Sequence, residues 1–129
     1  MDKATTLAGP LGRLLLVIIF LLSGFGKVAD PAGTIQYITS HGVPLPQVAY
    51  LLAIAAELGG GLLILVGYQT RLVAAAMALF CVASAAFFHN DFSDQGQMIN
   101  FLKNIAIAGG FLQLVAHGAG VLSIDNRRA

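Results

Sequence analysis

The sequence predicts an all-α integral membrane protein, built as a bundle of four transmembrane helices. Of its 129 residues, 57% are hydrophobic and 10% are charged, whereas a soluble domain carries about 25% charged residues. The mean hydropathy is +0.82. Four apolar stretches reach or approach the roughly 20 residues that a helix needs to cross a bilayer. This length fits a single membrane domain over residues 1–129, in contact with the lipid bilayer.

The first span covers residues 7–26 and is interrupted by Arg13. Residues 14–26 alone extend only about 20 Å as a helix, so the preceding residues complete the span and Arg13 is expected to snorkel to the head groups. A cleaved signal peptide is the alternative, although the later spans would hold the chain in the membrane either way. Residues 27–44 then form a connection rich in turn residues, with a short interfacial helix expected over residues 34–40.

The second span, residues 45–67, carries Glu57 near its centre and ends at Gly67. An unpaired charge at that depth costs from about 3 to more than 10 kcal/mol. The carboxyl group must therefore be neutral, paired, or facing a polar cavity. Gly60 and Gly61, close to Glu57, allow another helix to approach the backbone.

The third span covers residues 72–88 and the fourth covers residues 98–122. Four spans bring both termini to the same side of the membrane. Lysine and arginine are more frequent on that side, which the positive-inside rule identifies as cytoplasmic. The side with the termini carries Lys3, Arg13, Arg71, Arg127 and Arg128, whereas the other carries only Lys27 and Lys103.

The polar residues of the spans converge on the outer half of the predicted bundle. Asn100, Lys103 and Asn104 share one stripe of the fourth helix, and we expect Lys103 to be the partner of Glu57. Along their helices Glu57 lies about 18 Å deep and Lys103 about 7 Å, a gap that a long side chain and a helix tilt can close. The pair is either a structural ion pair or a ligand-binding, proton-linked site, and buried ionisable groups in membranes favour the second. The candidate residues are Glu57, Lys103, Asn104, Asn100, Lys27, His89 and Arg13.

The same sequence argues against several classes of site. The histidines have no ligand spacing, so no metal site is expected. The chain contains one cysteine, Cys81, which excludes an internal disulfide or a dithiol relay. A net charge of +1 without a basic patch argues against a nucleic-acid partner. Redox chemistry would therefore require a bound organic cofactor or a partner chain.

Several motifs together resemble the DoxX family over about residues 11–120. They are Arg13, the segment FLLSGFGK that ends at Lys27, the segment AAELGGGLLILVGYQTR around Glu57, and the pair Lys103-Asn104. The resemblance implies a small four-helix protein of the bacterial inner membrane. It carries over, by motif position, the residues Arg13, Lys27, Glu57, Gly60, Gly67, Arg71, Lys103 and Asn104.

The resemblance also bears on function. The DoxX family is named for a membrane subunit of a terminal oxidase, and relatives form the membrane part of a thiosulfate:quinone oxidoreductase. Others are linked to the handling of thiol and oxidative stress. This sequence has no cysteine pair, haem-ligand pair or dinucleotide loop, so an independent catalytic cycle is not expected.

Three functions remain open, as does whether the chain is itself an enzyme and which residues would be catalytic. The first is a quinone-interacting subunit that works with a soluble or membrane oxidoreductase, with a quinone as its candidate cofactor. The second is a non-redox module that binds or transports a small molecule or lipid. The third is a scaffold that anchors a soluble oxidoreductase through residues 68–71 and the C-terminal tail. A second copy of the chain is a further candidate partner.

Overall fold

The structure is a computed structural model that describes residues 2–128, except for the side chain of Arg128. Every regular element within those residues is helical, and four helices are long and apolar enough to span a membrane. This confirms the predicted all-α bundle of four spans. The helices are α1 (Lys3–Ala29), α2 (Pro31–Ser40), α3 (Pro46–Val66), α4 (Thr70–Phe88), α5 (Gln95–His117) and α6 (Ile124–Arg128).

The helix ends are set by local capping. The Asp2 carboxylate accepts a hydrogen bond from the N–H of Thr5, which starts α1 four residues before the predicted span. Asp30 caps α2 in the same way, so α2 also begins earlier than expected. The fourth span was predicted to reach residue 122, but α5 ends at His117. Gly118, with a φ of 75° and a ψ of −171°, takes a conformation that is open to glycine and ends the helix.

Glycines bring the first two spanning helices together. A Cβ atom added to Gly61 of α3 would lie 2.8 Å from Leu21 of α1, and one added to Gly60 would lie 2.6 Å from Met77 of α4. Because only hydrogen occupies those positions, the backbones approach more closely than other residues allow. The most extensive contacts between helices join α1 with α3 and α4 with α5, and Gly60 and Met77 connect the two pairs. The shared core contains Val17, Phe20, Ile64, Ala74, Met77, Ala78, Cys81, Ala108 and Phe111.

The bundle has two unlike ends. The end that contains the start of α1 and the end of α5 is called here the terminal end, because the Gly9 position lies 3.4 Å from the carbonyl of Ala119. The opposite end is called the cavity end. Both ends of the described chain therefore lie on one side, as predicted; their cytoplasmic orientation remains a prediction.

Arg13 lies inside the terminal end rather than at the head groups, so the expected snorkelling is wrong. Its side chain is 1% exposed and donates hydrogen bonds to the carbonyls of Ile64, Leu65 and Leu122. The first two carbonyls belong to the last turn of α3, where a helix runs out of internal donors. The Ile64 carbonyl also accepts from the N–H of Gly67 at 3.1 Å, so the guanidinium matters most for the carbonyls of Leu65 and Leu122.

The C-terminal segment docks on the same end. The Asp125 carboxylate accepts hydrogen bonds from the N–H groups of Gln69 and Thr70, at 2.7 and 2.8 Å, where α4 begins. The N–H of Asp125 donates to the carbonyl of Gly67 at 2.8 Å. The terminal end is thus tied together by Arg13 from one side and by α6 from the other.

Candidate functional site

A cavity of about 740 Å³ lies between the two helix pairs near the cavity end. This volume falls within the roughly 300–1,000 Å³ that is typical of small-molecule sites. Most of its wall is apolar, with aromatic rings from Phe20, Phe80, Phe87 and Phe88. Its polar lining is concentrated in a few side chains: Ser23, Lys27, Asp30, Thr34, Glu57, Ser84, His89 and Asn104.

An ion pair forms the polar centre of the α1/α3 wall. The Lys27 ammonium lies 2.9 Å from Glu57 Oε1 and 3.1 Å from Oε2, and it also donates to Ser23 Oγ at 2.8 Å. The Glu57 side chain is 6% exposed and the Lys27 side chain is 26% exposed. The carboxylate is therefore almost fully enclosed, while the ammonium remains partly accessible from the cavity. Pairing with Lys27 offsets the free-energy cost of burying the Glu57 carboxylate in the membrane.

Local sequence brings these groups together. Ser23 and Lys27 are four residues apart on α1, so they lie on one face of the helix. Gly24 lies between them, and a Cβ atom there would be 3.1 Å from the Cβ of Glu57. The Tyr50 hydroxyl donates to the Lys27 carbonyl at 2.7 Å, which fixes the end of α1 against α3.

Glu57 lies in an irregular turn of α3. Residues Ala55–Gly60 form a π-helical turn, with α-helix on both sides. Such a turn contains one more residue than an α-helical turn and often occurs at functional sites. In α3 it carries the carboxylate that meets Lys27.

The opposite wall, from α4 and α5, supplies separate polar groups. Ser84 of α4 and Asn104 of α5 line the cavity, and the Asn104 amide donates to the Asn100 carbonyl at 3.2 Å. Both side chains are partly exposed. A molecule in the cavity therefore has hydrogen-bonding groups on both sides, in a lining that also contains aromatic rings.

Helix α2 covers the cavity end. The Tyr37 ring stacks on Phe88 of α4, with centroids 5.5 Å apart and planes at 14°, and His41 lies 5.1 Å from Phe88. We call Tyr37, His41 and Phe88 the aromatic clasp. His89 follows Phe88, and burial lowers the pKa of its imidazole, with a smaller contribution from the charge of His41. A neutral His89 is compatible with the apolar environment of the clasp.

Four of the seven predicted residues line the cavity: Glu57, Lys27, Asn104 and His89. Lys103 and Asn100 are exposed on α5 and do not line it. The expected pairing of Glu57 with Lys103 is wrong, because the carboxylate binds Lys27. Lys27 is at the depth of Glu57, whereas Lys103 is nearer the helix end and about 100° around α5 from Asn104. Arg13 lies at the terminal end, away from the cavity.

Sequence reasoning missed several contributors. Ser23 is detectable as the residue one turn before Lys27, and Tyr50 lies two turns before Glu57 on the same face. Ser84 is a single polar residue in an alanine-rich span and carries no spacing signal. The covering position of α2 and the π-helical turn depend on packing and had no signal that we recognised.

Comparison with known proteins assigns this arrangement to a family. The family model described as DoxX matches residues 10–90, a range that contains both Lys27 and Glu57. The chain belongs to the DoxX family. It is 41% identical to the inner membrane protein YqjF of Escherichia coli (strain K12) over 97% of this chain and 95% of that protein. No solved structure matches it.

Two further relatives of this DoxX-family chain differ in how they are described. The inner membrane protein YphA of Escherichia coli (strain K12) is 36% identical over 91% of this chain and 87% of that protein. The putative oxidoreductase CatD of Bacillus subtilis (strain 168) is 37% identical over 65% of this chain and 61% of that protein. With four apolar helices, these likenesses identify a multi-pass protein of the bacterial inner membrane.

The chemistry available in the cavity is hydrogen bonding and proton exchange. Lys27 can donate a proton or a hydrogen bond, and Glu57 can hold a proton that Lys27 or a ligand gives up. Ser84, Asn104 and His89 can orient a bound molecule from the other wall. Within residues 2–128, no three His, Cys, Asp or Glu side chains form a group that could hold a metal ion.

Proposed function

We propose that this DoxX-family protein is a quinone-interacting membrane subunit that works with a partner oxidoreductase, and that the cavity holds the quinone head group. The observation that carries the proposal is the presence of polar side chains on both walls of an otherwise apolar cavity whose lining includes several aromatic rings. A quinone ring has two apolar faces and a carbonyl oxygen at each of two opposite edges. It requires that combination of surfaces.

The two walls would serve the two carbonyls differently. Lys27, which donates to Glu57 and Ser23, would turn a hydrogen bond toward one carbonyl from the α1/α3 wall, while Ser84 and Asn104 offer donors on the α4/α5 wall. The rings of Phe20 and Phe80, with centroids 6.4 Å apart, supply an apolar surface near them. Hydrogen bonds in an enclosed site are stronger than in water, so even two of them would orient the head group.

Reduction of a quinone to a quinol consumes two electrons and two protons. Lys27 can pass one proton to the nearer oxygen and would recover it from water, which would also be the source of the second proton. The adjacent Glu57 carboxylate stabilises the ammonium before the transfer. The electrons would come from the partner, since quinone chemistry belongs to the cofactor and its donor. The relative described as a putative oxidoreductase supports a redox-linked role.

The test is to identify molecules that co-purify with the protein in detergent by mass spectrometry. We expect a quinone in the wild type and its loss in Glu57→Gln and Lys27→Met. Lys103→Met is the matched control, because Lys103 is exposed and does not line the cavity. Equal quinone in the wild type and in Glu57→Gln would contradict a site at the carboxylate.

A non-redox binding or transport module is the second candidate. The ion pair and the apolar walls also fit the head and chain of another amphipathic molecule. This function predicts that the ligand stabilises the protein without changing its own redox state. Thermal unfolding with and without the extracted molecule measures stabilisation. The redox state of the bound molecule is then measured after a reductant is added, and a molecule that is not reduced favours the non-redox function.

A scaffold role requires a test that leaves the bundle intact. Removing residues 125–129 would also remove the Asp125 carboxylate that caps α4. Arg71→Gln is the better variant, because Arg71 is exposed. Loss of partner co-purification in Arg71→Gln, with normal co-purification in Glu57→Gln, would favour the scaffold over the quinone site.

A further inference from the structure

The cavity is closed toward the terminal end by direct contacts between the helix pairs. Leu16 of α1 lies 3.3 Å from the position of a Cβ on Gly110 of α5, and the rings of Phe20 and Phe111 are 5.7 Å apart. A ligand cannot pass between these contacts without unpacking the core. The way into the cavity must therefore lie nearer the cavity end.

Helix α2 covers the aqueous approach at that end. The aromatic clasp joins α2 to α4, and Ile38, on the same helix as Tyr37, is only 4% exposed. Tyr37 and Ile38 both line the cavity. The covering helix is thus packed against the site rather than standing away from it.

On the flank between α3 and α4, the lining of the cavity reaches the outer surface of the bundle. Leu52 of α3 and Phe87 of α4 both line the cavity, yet they are 65% and 46% exposed. Both residues belong to helices that are long and apolar enough to span a membrane, so we expect their exposed surfaces to face lipid. Because these two side chains border both the cavity and the outer surface of the bundle, the cavity can open sideways between α3 and α4.

We infer that the cavity takes an amphipathic ligand from within the bilayer, and that the apolar chain of this ligand leaves between α3 and α4, past Leu52 and Phe87. The inference rests on the proposed quinone role of the same cavity. The polar head then reaches Lys27 and Glu57 while the chain remains in lipid. The expected ligand is therefore a quinone or a similar molecule with a long apolar chain, and not a water-soluble molecule.

Photo-crosslinking can locate the chain directly. The benzophenone amino acid p-benzoylphenylalanine reacts with nearby C–H bonds, and it would be introduced singly at Leu52 or Phe87 in protein reconstituted in lipid nanodiscs. Decylubiquinone is the probe, and mass spectrometry of the protein measures the adduct. Leu79→p-benzoylphenylalanine is the control for free probe in lipid, because Leu79 is 71% exposed and does not line the cavity.

We expect at least a fivefold larger adduct yield at Leu52 and Phe87 than at Leu79. Glu57→Gln, added to each labelled variant, should reduce the yield to the Leu79 level, because the head group is no longer held. Testing both positions guards against one label that disturbs the fold. A yield at Leu52 and Phe87 equal to that at Leu79 would overturn the side opening.

Two more labels separate this inference from the proposed function. Ala53 lines the cavity beside Leu52, whereas Ile19 of α1 lines it and is exposed on another flank. Adducts at Ala53 and Ile19, without adducts at Leu52 and Phe87, would retain the quinone site and contradict the α3–α4 route. If Ala53 also gives only the Leu79 yield, the proposed quinone site is contradicted together with the route.

Discussion

The Lys27 ammonium lies 2.9 Å from Glu57 Oε1 and joins the last turn of α1 to the π-helical turn of α3. The pair holds two spanning helices together and is also the polar centre of the cavity. Structure and proposed function therefore depend on the same contact. Variants can separate the two roles, because loss of the ion-pair partner lowers thermal stability, whereas loss of the ligand is detected by mass spectrometry.

Lys27→Met should destabilise the protein by about 3–5 kcal/mol, because it leaves the Glu57 carboxylate buried without its partner. The double variant Lys27→Met with Glu57→Gln should be more stable than Lys27→Met alone, since no charge is then left unpaired. Thermal unfolding in a fixed detergent measures both. Lys103→Met, on an exposed lysine, should change stability by no more than about 0.5 kcal/mol. Equal losses in the single and double variants would mean that the charge pairing contributes little.

Gly24→Val should separate α1 from α3 near the ion pair. The added Cβ would lie 2.8 Å from Leu58 Cγ and 3.1 Å from Glu57 Cβ, so one of the helices must move. Overpacking of this kind costs about 1–3 kcal/mol. We expect reduced thermal stability together with reduced retention of the extracted ligand.

Gly26→Val is the matched control for that variant. A Cβ at Gly26 has no described neighbour within 4 Å, and the residue lies in the same helix two positions later. Its stability should stay close to that of the wild type. Similar losses at both positions would assign the effect to the removal of glycine from α1 rather than to the contact with α3.

Arg13→Met should loosen the terminal end without emptying the cavity. It leaves the carbonyls of Leu65 and Leu122 without the guanidinium donor, at about 1–3 kcal/mol for each carbonyl that water does not reach, whereas the Ile64 carbonyl keeps the N–H of Gly67. We expect faster hydrogen exchange over residues 118–127, while the ligand is retained. Lys3→Met, on an exposed residue of the same helix, should leave that exchange unchanged. Loss of the ligand in Arg13→Met would show that the two ends are coupled.

Acidification should weaken the docking of α2. The pKa of His89 lies below its ordinary value of 6.5, so the folded state favours the neutral imidazole. The contribution of this group to docking is full above pH 6.5 and is lost as the pH falls below that value, because the undocked form takes up the proton more readily. Protonation also adds repulsion toward His41.

Hydrogen exchange over residues 31–41, corrected for its intrinsic pH dependence, measures this effect. Protection should fall between about pH 7 and pH 5 in the wild type and should fall less in His89→Gln. His117→Gln, at the terminal end, should behave like the wild type. An identical pH dependence in His89→Gln would exclude His89 as the responsible group.

Some parts of the site follow from the sequence and others do not. Glu57 was identifiable because a carboxylate in the middle of a span requires a partner or a polar cavity. Its partner was not, since helical spacing assigns faces within one helix but does not determine how neighbouring helices turn toward one another. Lys27 and Lys103 were both at the correct end of the bundle. The structure pairs Glu57 with Lys27, on a helix whose Gly24 packs closely against Glu57.

The sequence by itself determined the membrane location, the four spans and the position of Glu57 near the middle of its span, because these depend on apolar length and composition along the chain. The tertiary structure decided the Lys27–Glu57 pair, the burial of Arg13 among carbonyls and the position of α2 across the cavity. These features depend on contacts between residues far apart in the chain. Such contacts follow from how the helices pack, which no local pattern encodes.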